Sequence, residues 1–254
     1  DAKNPAALRR LVAAGAQLRP FSQEIMEAGL KASNELYDEI SAKNADFKAL
    51  LPTLGEVVTI ARRVGEAKAA ALGLPLYDAL LDEYEPGGRS ARIDTLFAEL
   101  RAFLPAMLQR VMEKQKRAGE PLPLDGPFPV EAQRQLGLEM ARTLGFDFHH
   151  GRLDVSAHPF TGGTADDVRI TTRYDEADFA RALMGVLHET GHALYEAGRP
   201  RDWRRQPVGN ARGMVLHESQ SLLMEMQACR SEAFIAFAAA RMRAAFGKSG
   251  AVWE

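Results

Sequence analysis

The sequence predicts a mainly α-helical chain carrying one small antiparallel β-ribbon, and three observations point there. Apolar residues recur at helical spacing over most of the 254 residues. One stretch, Val168-Arg169-Ile170-Thr171-Thr172, is instead β-branched and alternating, the texture of a strand. Between Gly119 and Pro129, four prolines and two glycines fall within eleven residues, the best linker candidate. The expected organisation is a helical region 1–118, a Pro/Gly-rich linker 119–129 and a second region 130–254.

Leu8, Leu11, Val12 and Leu18 form a first helical stripe, and Ile25, Leu36, Tyr37 and Ile40 mark a second helix. After Pro52, a third stripe runs through Leu54, Val57, Val58, Ala61 and Val64. A shorter helix, Leu74 to Tyr84, stops at Pro86-Gly87-Gly88. Ser90 reads as the N-cap for the run Ile93 to Met112, which Pro105 is expected to bend or break. Past the linker, a helix is expected over Val130 to Leu144. Phe146, Phe148, Leu153 and Val155 then alternate with polar residues, and with Gly162-Gly163 in the connection they suggest a ribbon of two or three strands. Helical spacing returns over Phe179 to Glu196 and Val215 to Met242.

Composition excludes several classes. Hydrophobic residues at 46% and charged residues at 26% fit neither a disordered tail nor a coiled rod. A net charge of -2 lacks the basic excess of an electrostatic nucleic-acid binder. The single cysteine, Cys229, precludes an internal disulfide framework and fits a reducing, cytoplasmic setting. No apolar run approaches a bilayer span; Ala233 to Ala240 is bounded by Glu232 and Arg241, so no membrane partner is expected. The chain opens on Asp1 without Met or a basic-then-apolar leader, so no secretory signal is expected and the length is taken as a lower bound.

The informative text is Val186-Leu187-His188-Glu189-Thr190-Gly191-His192-Ala193-Leu194. Residues four apart lie on one face of a helix, so His188 and His192 can each point a nitrogen at one ion. Glu189 is rotated about 100° from His188, where its carboxylate can reach a water rather than the metal. That division suits a zinc hydrolase: two imidazoles hold the metal and a free carboxylate takes the proton. Two histidines that merely happen to be four apart would be the bland alternative.

A third ligand is needed, and three glutamates compete. Glu196 shares the helix face, but three donors in a row along one axis make poor tetrahedral geometry. Glu225 reads equally well as a solvated or outer carboxylate. Glu218, 26 residues after His192, is favoured because a second helix packed across the first can deliver it.

Read together, His158-Pro159-Phe160, Asp167-Val168-Arg169-Ile170-Thr171, His188-Glu189-Thr190-Gly191-His192 and His217-Glu218-Ser219-Gln220 resemble, in order and spacing, the signature blocks of the carboxypeptidase Taq family. Tyr77-Asp78-Ala79-Leu80-Leu81-Asp82-Glu83-Tyr84-Glu85-Pro86-Gly87 looks like that family too. The resemblance implies a large helical zincin-like domain, His188, His192 and Glu218 as ligands of one zinc or cobalt ion, Glu189 as general base and a peptide as substrate. It also implies a homodimer and release of one C-terminal residue. Members of the family are about twice this length, so the chain corresponds to an N-terminal half, and its activity alone is in question. By itself the His-Glu-x-x-His pattern fits an endopeptidase or aminopeptidase as well, and a non-catalytic helical module is the alternative of another class; metal analysis separates them.

Asp167 and Arg169, two apart on a strand, face one side and either pair with each other or, as the resemblance suggests, line the cleft. His158, held extended by Pro159, reads as a positioned structural or substrate-contact residue. His149 and His150 alternate faces on a strand and read as structural or surface residues. His217 is a candidate to stand behind the ligands beside Glu218. The basic run Arg199 to Arg205 with Trp203 reads as solvated or as an interface.

Overall fold

The fold was obtained as a computed structural model that describes residues 22–118 and 124–249. The first sequence stripe, Leu8 to Leu18, lies outside the described residues, as do the first five residues of the linker. The chain divides into two compact units. One holds the described residues as far as Leu80 together with Arg89–Ala118; the other holds Leu81–Gly88 and the described residues beyond 123.

The first unit is helical. Ser22 caps α1 (Gln23–Lys43) through its hydroxyl, and Asn44 caps α2 (Ala45–Leu72) by accepting from the Phe47 amide at 2.9 Å. Helix α2 ends at Gly73 in the left-handed region, the conformation glycine adopts most easily. Gly65 is the tight point of this unit: a Cβ there would lie 2.9 Å from Leu76 and 3.2 Å from Leu80 on α3 (Leu76–Tyr84). Three local expectations are corrected. Pro52 lies inside α2, and α4 (Ser90–Ala118) runs unbroken through Pro105; each proline removes one backbone bond, and the helical residues on both sides outweigh that loss. Ser90 is the first residue of α4 rather than its cap, and its amide donates to the buried Asp78 carboxylate at 3.0 Å.

The second unit is organised around α6 (Phe179–Ala197), which Asp178 caps. Phe179, Leu183 and Leu187 pack with Phe128, with Leu136 and Met140 of α5 (Val130–Thr143), and with Ala238 of α8 (Glu232–Phe246). Val186 and Ala193 pack instead with Phe146, Leu153, Val168 and Ile170. Both flanks of α6 are therefore buried, which fixes the direction of its remaining face.

The sheet contains β1 (Gly151–Val155), β2 (Thr161–Thr164) and β3 (Asp167–Thr172) in the order β1-β3-β2. Strands β2 and β3 are antiparallel, as expected, but β1 runs parallel to β3, so the sheet is mixed. The segment between β1 and β2 carries the chain across to the far edge of β3, so β1 and β3 share a direction and turn Leu153, Val168 and Ile170 toward α6. Gly162 and Gly163 lie within β2, not in a connection; Gly163 has positive φ, and a Cβ there would strike the Asp167 backbone. The residues from Phe146 to His150 form turns before β1 rather than strand, because Asp147 accepts from the His149 amide and pairs with the His150 ring.

The expected helix from Val215 to Met242 is three pieces: α7 (Met214–Leu222), a π-helical stretch Leu223–Ala228, and α8. Among the described residues no helix is long and apolar enough to cross a membrane.

Candidate metal centre

His188, Glu189 and His192 sit on the third and fourth turns of α6, where the packed flanks leave one face open. Helix α7 crosses that face. The crossing is close because Gly191 has no side chain: a Cβ there would lie 2.6 Å from both the Gln220 carbonyl oxygen and the Ser221 Cα. Helix α7 is thereby brought near enough for Glu218, its fifth residue, to face both imidazoles. Glu218 Oε1 is 3.7 Å from His188 Nε2, and Oε2 is 3.4 Å from His192 Nε2.

The other ring nitrogens are engaged. His188 Nδ1 lies 3.1 Å from Glu225 Oε2, and Arg230 holds the second oxygen of Glu225. His192 Nδ1 lies 2.6 Å from His217 Nδ1, and His217 Nε2 lies 2.8 Å from Glu196 Oε1. Glu196 is held in turn by Arg199 at 2.6 Å. These contacts determine the tautomers. A carboxylate accepts, so His188 donates through Nδ1 and a neutral His217 donates through Nε2. His217 Nδ1 is then an acceptor and His192 Nδ1 the donor. Both Nε2 atoms are left with free lone pairs, and both face Glu218.

This donor set fits a divalent cation. The ligand atoms of His188, His192 and Glu218 all lie within 4.8 Å of one another. Two ligands each 2.0–2.1 Å from a tetrahedral ion are about 3.3 Å apart, near the two His–Glu separations. Burial, then the neighbouring His217 and His188, hold the His192 pKa below the ordinary histidine range, favouring the neutral ring that a metal requires.

Glu189 stands outside this set of three. It is buried, and the Thr161 hydroxyl of β2 lies 2.6 Å from its Oε2 and 3.0 Å from its backbone oxygen. Burial pushes its carboxyl pKa up, against the opposing pull of the Thr161 hydrogen bond and of His188. Glu189, His188, His158, Pro159, Met184 and Gly185 line part of a groove of about 690 Å³ that passes the open face of α6. His158 is therefore at the groove. Asp167 and Arg169 instead pair with each other at 2.6 Å on the half-exposed face of β3 and are not among the groove residues. His150 pairs with Asp147 in the turn before β1. In the basic run, Arg199 joins Glu196 and the Gly209 carbonyl, and Arg204 pairs with Asp166. Cys229 is wholly buried.

Sequence reasoning missed Thr161, Gly191 and the Glu196–His217 link. The position of Thr161 directly after His158-Pro159-Phe160, and of a glycine inside the His-Glu-x-x-His turn, were the available signals.

A helical unit that presents two imidazoles, a crossing carboxylate and an adjacent buried acid at a groove has the make-up of a metal-dependent hydrolase. The chain belongs to the carboxypeptidase Taq (M32) metallopeptidase family, whose model matches residues 16–254. It is 40% identical over 233 residues to thermostable carboxypeptidase 1 of Thermus thermophilus, covering 89% of this chain and 46% of that one. The structure of Trypanosoma cruzi metallocarboxypeptidase 1 matches with a TM-score of 0.73 and 43% identity over 91% of this chain and 47% of the other. The M32 carboxypeptidase of Deinococcus radiodurans matches with a TM-score of 0.69 and 32% identity over 89% and 46%. The chain thus spans about half the length of the relatives it matches.

Proposed function

We propose that this chain carries the metal centre of a carboxypeptidase, with His188, His192 and Glu218 holding one zinc or cobalt ion and Glu189 serving as general base. The observation that carries the reading is the convergence of two free imidazole lone pairs and one carboxylate within 4.8 Å, beside a second, buried carboxylate, Glu189, that stands outside this set and lines the same groove as His188. A divalent ion held there supplies Lewis acidity, lowering the pKa of a water and polarising a carbonyl oxygen. Glu189 takes the proton from the attacking water and returns it to the leaving amine, releasing the C-terminal residue of a peptide. Thr161 holds the Glu189 carboxylate toward the groove, and burial raises its proton affinity for that task. His158 contacts the substrate from the groove wall. Glu225 and His217 hold the two imidazoles in orientation from behind. Family membership supports a peptide substrate, the homodimer is carried by the sequence resemblance alone, and the single cysteine is in keeping with the cytoplasm.

The test is metal analysis of tag-free protein together with hydrolysis of blocked dipeptides and longer peptides. Near-stoichiometric zinc or cobalt that is lost in Glu218→Ala is the expected result. Glu189→Gln should keep the metal and lose roughly 10²- to 10⁴-fold in turnover wherever the wild-type sequence is active. Protein that takes up no metal at all overturns the proposal. Assaying this chain beside a longer one shows whether the site suffices by itself.

A further inference from the structure

We infer that Glu85, in the Glu85-Pro86-Gly87 turn that follows α3, is a positioning residue for Glu218: it caps, from 130 positions away, the helix that carries the third donor. The inference rests on the metal-centre reading above. Helix α7 begins after Gly213, which has no side chain with which to cap the orphan amides of the first turn. The Glu85 carboxylate fills that place, with Oε2 accepting from the Val215 amide at 2.9 Å. A carboxylate at a helix N-terminus also meets the positive end of the helix dipole.

A side chain at 213 would crowd the capping carboxylate itself, while the φ of 164° is ordinary extended backbone. A Cβ there would sit 2.7 Å from Glu85 Oε2 and 3.3 Å from the Pro86 ring. The turn itself is tied down by the Gly87 amide donating to Asp82 at 3.0 Å and by the Gly88 amide donating to the Glu85 carbonyl at 2.8 Å. Glu218 is only four residues into α7, and the His217 amide closes the first turn onto the Gly213 carbonyl. Loss of the Glu85 bond therefore frees the turn from which Glu218 projects and leaves the His-Glu-x-x-His helix untouched.

Amide exchange in the metal-free chain and cobalt titration followed by its visible absorption test this together. Glu85→Ala should speed exchange at Val215 to His217 and weaken cobalt binding by about 2- to 30-fold, the range of a lost cap. Glu85→Gln, which keeps an acceptor, should recover part of both. Gly213→Ala should match Glu85→Ala, with the double variant no worse than either. Ser231→Ala removes the cap of α8 and should destabilise the chain without changing cobalt affinity. Unchanged exchange in Glu85→Ala, or faster exchange with unchanged cobalt affinity, overturns the inference. The Glu218→Ala experiment reports on the metal site separately, so neither result is confused with failure of the site.

Discussion

Replacing Gly191 by alanine sets two physical effects against each other at one atom. Helix propensity alone favours alanine by about 1 kcal/mol in a helix interior. The added Cβ, however, would lie 2.6 Å from Gln220 and Ser221 backbone atoms of α7, about 0.8 Å inside ordinary contact. Backbone in a packed helix cannot swing aside as a side-chain tip can, so α7 must move as a body. Such overpacking costs about 1–3 kcal/mol, leaving the variant anywhere from unchanged to about 2 kcal/mol less stable. The larger effect falls on metal binding. Glu218 lies three residues from Ser221 on the same helix, so it moves with the crossing, whereas a ligand bond tolerates only about 0.2 Å. Affinity should therefore fall by about 10- to 100-fold, as when the support of a ligand is lost. The assay is zinc or cobalt titration against a chelating dye, with thermal melting of the metal-free protein beside it. A variant that melts higher and binds metal as before would show that propensity wins and would refute the argument.

Other consequences are equally direct. Glu225→Ala removes the acceptor from His188 Nδ1 and should weaken metal binding by about 10- to 100-fold; an unchanged cobalt titration would count against its orienting role. Burial, with Glu225 nearby, pushes the Cys229 thiol up to about 11, so native protein at pH 8 should resist iodoacetamide while unfolded protein reacts; rapid labelling of folded protein would contradict this. Hydrogen bonds from Ser90 hold the Asp78 carboxyl below its ordinary 3.8. Its contribution to stability is complete above that value and is lost as the pH falls through the lower folded-state pKa. Asp78→Asn should accordingly flatten the acid limb of a plot of melting temperature against pH, and an unaltered limb would remove Asp78 from the account.

What could be read from sequence was what local periodicity encodes. Helical spacing locates α1 to α6, and the four-residue step puts His188 and His192 on one face whatever surrounds them. Proline rules failed at Pro52 and Pro105 because they describe a local loss that neighbouring turns can absorb. Strand direction was not readable for β1, since alternation marks a pleated segment and not the partner beside which it lies. The turn before β1 looked like strand because Phe146 and Phe148 do pack on the core, while Asp147 redirects the backbone between them. In the first unit the stripes are helices as expected, yet side chains such as Leu30, Ile60 and Phe97 are exposed; periodicity predicts a face, not what covers it.

The choice among Glu196, Glu218 and Glu225 shows the limit most clearly. The three are rivals for one position only if a single one reaches the imidazoles, and in the structure all three act on those rings, at different nitrogens. Glu218 faces both Nε2 atoms, Glu225 takes His188 Nδ1, and Glu196 acts on His192 Nδ1 through His217. Spacing cannot separate these parts because each depends on a contact made outside the motif. Glu218 needs the gap at Gly191, Glu225 lies on the π-helical stretch that follows α7, and Glu196 needs His217 as an intermediary. Glu196, one turn beyond His192, is a poor ligand because a third donor in line along one helix axis is badly placed for a tetrahedral ion. From that same position, a carboxylate is well placed to reach around to the back of the neighbouring ring through one more imidazole.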